Sequence, residues 1–245
     1  MFLRRKVISK GERTKPLISI VLPVFNQEDH ITEIVEKHIE SLNKIENPYE
    51  IILVPNACSD NSEDICHSLM EKHDPVRVKS TSKGGWGLAV KLGFSEAKGD
   101  LICYANTART SPSDLTLITL YGIANPNAVI KAERKKRGEI LRRIGSLIYN
   151  LECRTFFDLP YWDINGTPKI FPRKFVKLLE LSQDDDLIDL EFNIVCNTES
   201  YPMLEVPILL SSNRYGGTST TNYYSAFKLY IGAYRLWNNK SLAKK

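Results

Sequence analysis

No stretch of the chain approaches the ~18 consecutive apolar residues that a membrane-crossing helix needs, so membrane contact is expected to be peripheral. Cysteine is sparse: Cys58, Cys66, Cys103, Cys153 and Cys196 are scattered without a CxxC pair. That scatter argues against a disulfide framework and a cysteine-based zinc site. The four histidines, His30, His38, His67 and His73, show no metal-ligand spacing. The basic start "MFLRRKVISKGERTK" does not have the form of a secretory signal, and with the unpaired cysteines it points to a reducing cytoplasm. Internal repeats and low-complexity linkers are also missing. A strong charge of one sign is absent too: 33 Lys and Arg against 29 Asp and Glu leave +4, so the placement of charge matters more than its sum.

What is present reads as an α/β protein with 42% hydrophobic and 25% charged residues over 245 positions, enough for a sizeable core. "LISIVLPVF" at 17–25 is a continuous β-branched, apolar run stopped by "NQED", the mark of a buried parallel strand. The next segment carries Ile31, Ile34, Val35, Ile39 and Leu42 at helical spacing, with Asp29 placed to cap it. "YEIILVP" reads as a second strand, "NACSDNS" as a polar turn and "SEDICHSLMEKH" as a second helix. A short strand "VRVKS", the glycine loop "KGGWG", a helix over 86–98 and the strand "LICYA" follow. Strand and helix thus alternate four times in the first 110 residues. This predicts a doubly wound, mostly parallel sheet flanked by helices in one compact unit, with its site at the carboxyl ends of the strands.

Beyond "ANTART" comes the polar, proline-containing "TSPSD", and the next predicted element is the strand "AVIKA". It enters the basic segment 131–154, with eight Lys and Arg against three Glu, predicted as a helix over 134–155. The remaining reading is a loop "LPYWDINGTP", a strand "KIFP", a helix "RKFVKLLELS", the acidic stretch "QDDDLIDLEFNIVCNT", a strand "MLEVPILL", a loop "SSNRYGGTST" and a last helix over 222–238. Sheet strands read as apolar throughout.

These landmarks resemble the family 2 glycosyltransferases of the GT-A, nucleotide-diphospho-sugar transferase fold, and within them the dolichol- and undecaprenyl-phosphate sugar transferases. The likeness covers nearly the whole chain, in the family's order. The family's first strand ends in Pro-x-(Tyr/Phe)-Asn-Glu, matched by Pro23, Phe25, Asn26 and Gln27. Its second ends in Asp-Asp/Asn-Gly-Ser-x-Asp, matched by Pro55, Asn56, Ala57, Cys58, Ser59 and Asp60. Lys83, Gly84, Gly85 and Gly87 match its basic or glycine loop. "EAKGDLICYA" matches the strand that enters the metal motif Asp-x-Asp, where this chain has Asn106, Thr107 and Ala108. "ERKKRGEILRRIGSLIYNL" looks like the basic segment and "DINGTPKIFPR" like the acceptor loop. Asp189 and Glu191 fall on an Asp-x-Glu helix. Arg214, Gly217 and Ser219 fall on a closing Arg-x-x-Gly-x-Ser-Lys loop that has Thr220 in place of Lys.

The resemblance implies a single transferase domain over 1–245. About 15–110 would be its nucleotide-sugar half, about 111–222 its acceptor half, and 223–245 an amphipathic helix with a basic tail. It implies donor contacts at Pro23, Phe25, Asn26, Asn56, Asp60, Lys83, Gly84, Asn106 and Ala108. Acceptor or phosphate contacts would fall on Arg134, Arg137, Lys169, Arg214, Gly217 and Ser219, and catalytic roles on Asp189, Glu191 and Asp163. The family's cofactor is Mg²⁺ or Mn²⁺ on the donor diphosphate, yet the metal pair is degenerate here: Asn106 offers one neutral carbonyl and Ala108 nothing, where hard cations favour carboxylates.

Three readings follow. Arg134, Arg137, Lys169 and Arg214 neutralise the leaving group without metal; or Asp60, Asp163 or Asp189 recruit a metal; or the chain is an inactive binding or scaffold subunit. A hydroxyl acceptor would need Asp189 as general base, with Asp163 second. A lipid phosphate is already anionic and needs none, and then Arg134, Arg137, Arg142, Arg143 and Arg214 would hold two phosphates. The implied reaction is inverting transfer from a nucleotide-activated sugar to a polyprenyl phosphate or glycan. It is expected in the cytoplasm, at the inner membrane face, where Tyr223, Tyr224, Phe227, Tyr230, Tyr234 and Trp237 interleaved with Lys228, Arg235 and Lys240 suit an interfacial helix. Nucleic acid is not an expected partner, because the sheet strands look buried rather than exposed for base stacking.

Overall fold

The computed structural model describes residues 15–135, 140–208 and 223–238. In chain order these form β1 (Ile18–Val24), α1 (Ile31–Leu42), β2 (Tyr49–Pro55), α2 (Ser62–Lys72), β3 (Val76–Val78), α3 (Trp86–Glu96), β4 (Leu101–Tyr104) and α4 (Pro112–Ala124). There follow β5 (Val129–Arg134), α5 (Ile140–Phe157), β6 (Lys169–Pro172), α6 (Ile188–Thr198), β7 (Met203–Ile208) and α7 (Tyr223–Asn238). One seven-stranded sheet has the order β3-β2-β1-β4-β6-β5-β7. Neighbours are parallel except β6, which runs antiparallel to both β4 and β5. The expected mostly parallel α/β sheet is therefore present.

β1 is buried at all seven positions because helices cover both of its faces. Ile18, Ile20, Leu22 and Val24 enter one core layer with Ile31, Val35, Leu115 and Ile118. Val21 enters the other with Val90, Phe94, Tyr104, Phe171 and Phe192. A third cluster joins α5, α6 and α7 through Tyr149, Cys153, Leu190, Ile194 and Ala233. Tyr149 meets Tyr230 edge to face at 5.6 Å, and Phe156 stacks on Trp237 at 4.9 Å.

Four expectations need correction. The chain after "TSPSD" is helix α4: Ser111 caps it by accepting from the Asp114 amide at 3.1 Å, and Pro112 occupies the first turn. Its apolar residues fall on both sides, Leu115 and Ile118 buried against Leu117 and Leu120 exposed, so no helical period marks it. The segment expected as helix over 134–155 begins as strand, since β5 runs to Arg134, and α5 starts at Ile140. "RKFVKLLELS" makes only a 3-10 turn at Val176–Leu179. Finally, α1 begins with His30 rather than Asp29 in the capping position.

Candidate active site

Three strands end side by side and turn outward: β1 into Phe25–Gln27, β2 into Asn56–Asp60, β4 into Ala105–Ala108. Asn26 adopts φ +49°, a left-handed conformation that Asn tolerates, and Ala57 adopts φ +48°. The two tips are laced together. Asn26 Nδ2 donates to Ser59 Oγ at 3.1 Å and its Oδ1 accepts from the Ser59 amide at 2.9 Å. Asn56 Nδ2 donates to the Val24 carbonyl at 2.7 Å while its Oδ1 accepts from the Gly85 amide at 3.3 Å. Asp60 accepts from the amides of Glu28 and Ser62 at 3.1 and 3.0 Å. Against the burial that raises it, the hydrogen bonds from Ser62 and from these amides hold the Asp60 carboxyl below its ordinary value. Of the residues expected to touch a donor, Asn26, Asn56 and Asp60 thus shape the cradle, Pro23 is buried in β1, and Phe25 stands 44% exposed at its rim.

At the β4 tip, Thr107 is buried and its hydroxyl donates to the Pro23 carbonyl at 2.6 Å; Ala108 is buried as well. Asn106 remains partly exposed, its carbonyl accepting from the Arg109 and Thr110 amides. One neutral amide, one committed hydroxyl and one methyl do not fit a divalent cation. Nor do the other candidate acids assemble one: among the described residues no three His, Cys, Asp or Glu side chains cluster as a metal site.

The glycine loop meets the start of the acidic stretch, at 183–185. Gly85 has φ +155°, and a Cβ there would lie 2.5 Å from the Asp184 carbonyl; at Gly87 it would lie 2.4 Å from the Gln183 carbonyl. The Leu88 amide, at the start of α3, donates to that Asp184 carbonyl at 2.9 Å. Lys91 Nζ donates to the Ser182 carbonyl at 2.8 Å and pairs with Asp184 at 2.7 Å. Glu191 fixes the acidic loop from behind, accepting from the Ser182 amide, the Ser182 hydroxyl and the Gln183 amide at 2.7–2.9 Å. Lys83 and Gly84 are exposed beside this junction.

Behind the tips runs a row of polar side chains that strand pairing puts on one face: Tyr104 opposite Lys169, Lys169 opposite Lys131, Lys131 opposite Glu205. The strands are therefore not apolar throughout. Both lysines are fully buried. α6 answers them with residues one turn apart. Asp189 takes the Lys169 ammonium and the Tyr104 hydroxyl on Oδ1, the latter at 2.8 Å, and the Trp86 indole on Oδ2 at 3.2 Å. Asn193 Oδ1 accepts from Lys131, which also pairs with Glu205 at 2.9 Å and lies over the Tyr161 ring. Burial pushes the Lys169 ammonium down to about 8 although Asp189 pulls it upward; burial likewise lowers Lys131 and raises the Tyr104 hydroxyl. In the acceptor loop, Asp163 takes Arg134 as a bidentate pair, 2.7 Å on each arm, plus the Arg134 amide. Gly166 passes so close to the Ala132 carbonyl that a Cβ would lie 2.0 Å from it.

The fold thus brings Asp189, Lys169, Asp163 and Arg134 together beside the strand tips, but as ion pairs. Glu191 points to the acidic loop, away from Asp189, as expected two residues along a helix. Trp86, Tyr104, Lys131, Asn193 and Glu205 were not expected; the lysines within apolar strands were the available signal. Arg137, Arg214, Gly217 and Ser219 lie outside the described residues, as do the side chains of Arg142 and Arg143.

Residues 19–107 match the model for glycosyl transferase family 2. Over 217 residues the chain is 24% identical to an undecaprenyl-phosphate 4-deoxy-4-formamido-L-arabinose transferase of Pectobacterium atrosepticum, covering 86% of this chain and 64% of the relative's length. A second relative, glycosyltransferase GlyG of Streptococcus pneumoniae, is 41% identical over 87 residues, 35% of this chain and 28% of that one. Among solved structures, glucosyl-3-phosphoglycerate synthase from Mycobacterium tuberculosis, in complex with Mn²⁺, UDP-glucose and phosphoglyceric acid, superposes with TM-score 0.69 at 14% identity, over 91% of this chain and 80% of that one. The resemblance read from the sequence is borne out, and the fold is that of these GT-A neighbours.

Proposed function

We propose that this chain, with glycosyl transferase family 2 as its match, moves one sugar from a nucleotide-activated donor to a polyprenyl phosphate. The observation that carries the reading is the laced cradle at the ends of β1, β2 and β4, which lies inside the matched segment 19–107. In that cradle the exposed Phe25 ring is the surface for the base. The acceptor phosphate oxygen attacks the anomeric carbon, the bond from that carbon to the donor phosphate breaks with inversion, and the nucleotide leaves with the electron pair.

The state of Asp189 supports a phosphate acceptor over a hydroxyl. Its carboxylate already receives three donors and is 5% exposed, so little of it is free to take a proton. A phosphate needs no base. Arg134 and Lys169 are neutralised by Asp163 and Asp189, and among the described residues Lys83 stands exposed beside the glycine loop to meet the departing phosphate. Mg²⁺ or Mn²⁺ finds no fitting ligand set at the β4 tip.

For the acceptor's lipid, α5 and α7, which pack on each other, both carry exposed apolar side chains: Leu147, Ile148 and Leu151 on the first, Phe227, Tyr234 and Trp237 on the second, all at least 45% exposed. A cleft between loop 183–187 and α7 adds Leu187, Ile231, Lys228 and Arg235, apolar walls with two cations and the Asp185 carboxylate. Such a surface suits an anionic membrane face; among the described residues no helix is long and apolar enough to cross a membrane.

Calorimetry with UDP-, GDP-, dTDP- and CMP-sugars, each with Mn²⁺ and again with EDTA, tests the donor half. Radiolabelled sugar transfer to polyprenyl phosphate in vesicles tests the acceptor half. One donor that binds in EDTA and labels the lipid is the expected result. A donor that binds without any transfer would favour the second reading, a sugar-nucleotide-binding subunit, which the changed β4 tip motivates.

A further inference from the structure

We infer that Trp86 is a positioning residue: its indole ties the donor-side glycine loop to Asp189 and so sets how tightly a nucleotide sugar is held. The inference rests on the donor reading above. Trp86 opens α3 between Gly85 and Gly87, neither of which has room for a side chain against the acidic loop. The indole N–H donates to Asp189 Oδ2 at 3.2 Å, and the ring tilts against Tyr104 with centroids 6.3 Å apart. The other oxygen of the same carboxylate holds Tyr104, at the β4 tip, and Lys169, at the start of β6. One carboxylate therefore pins the glycine loop, the central strand tip and the reversed strand, and Trp86 is its link to the glycine loop. The Asn56 side chain, in the donor cradle, accepts from the Gly85 amide one residue before Trp86. Displacing Trp86 would thus loosen the cradle, while the groups around the acceptor stay in place.

Trp86→Phe, which keeps an aromatic ring and deletes the N–H, should weaken donor binding about tenfold, or ~1.4 kcal/mol, with the turnover number within twofold. A general packing defect would instead reduce the active fraction without moving affinity. The second readout needs no activity. The chain has three tryptophans, so a ¹⁵N spectrum shows three indole resonances, and the one lost in Trp86→Phe is Trp86. It should move when Asp189 is neutralised in the paired variant Asp189→Asn/Lys169→Met, which leaves no buried charge unmatched, and it should move on titration with UDP-glucose or whichever of the four donors binds. An indole resonance unmoved by the paired variant, or donor affinity within twofold in Trp86→Phe, overturns the inference. A chain that binds none of the four donors overturns the donor reading and Trp86's role in it, and the paired variant then still decides whether the indole is bonded to Asp189.

Discussion

One row of cross-strand neighbours runs from β2 to β7, and its two halves are chemically unlike. Ile52 on β2 and Val21 on β1 are apolar and fully enclosed by the helices around them. From Tyr104 onward the row becomes Lys169 and Lys131, equally enclosed, and then the partly exposed Glu205, with charge balanced against charge. The apolar half tolerates small errors, because apolar contacts are non-directional. The polar half is all or nothing: desolvating an ammonium and a carboxylate costs several kcal/mol each, and only a complete set of partners offsets it. Such a row fixes register and strand order more strictly than apolar burial does. It also explains why Arg134 and Lys169, attractive as phosphate ligands in the sequence, are engaged by Asp163 and Asp189.

The sharpest way to break this comparison is to remove one charge. Lys169→Met should destabilise the protein by ~3–5 kcal/mol, because Asp189 is left buried without its cation; Ile52→Val in the apolar half should cost only ~0.5–1.5 kcal/mol. Urea unfolding of both variants decides it, and equal losses would mean the two halves are energetically alike. Adding Asp189→Asn to Lys169→Met should recover most of the loss, since the pair is then neutral.

Rate comes next. Asp189→Asn should lower transfer per folded molecule by less than ~10-fold if the acceptor is a phosphate; a loss of ~100-fold or more would make Asp189 the base and the acceptor a hydroxyl. Single-turnover assays scaled to the folded fraction separate the two. A subtler effect is expected with pH. The Lys169 ammonium sits at about 8, below its ordinary 10.5. Between those values the unfolded chain holds more protons, so this residue's contribution to stability should rise with pH across that window. Denaturation series in wild type and Lys169→Met would show the slope in the first and its absence in the second. The smallest effect belongs to Lys91→Ala. Its partner Asp184 is largely exposed, so the ion pair should contribute no more than ~1 kcal/mol, and that should fade with added salt.

The first four strands and three helices were legible in the sequence because each apolar run is local and ends in its own polar turn. The end of the sheet that carries the candidate site followed from that alternation. Helix α4 was not legible, since it is apolar on both sides and only its Ser-Pro-x-Asp start betrays it. The ion pairs were not legible either. "KIFP" and "AVIKA" give no hint that Lys169 and Lys131 become neighbours, because that depends on β6 entering the sheet backwards between two strands far from it in sequence. Glu191 was legible as a motif but not in its direction, which only the position of the acidic loop supplies.

That reversed strand has a consequence for the order in which the molecule assembles. β1, β2 and β3 meet through short crossovers, whereas β4 finds its outer neighbour only when a segment from much later in the chain arrives. Contacts between distant parts of a chain form slowly, since closing the loop comes before any gain. The cradle laced between the β1 and β2 tips should therefore gain amide protection early in pulse-labelled refolding, and β6 late. Until β6 docks, Asp189 has no Lys169 ammonium to meet, so a strand that arrives late is the one that completes the candidate site.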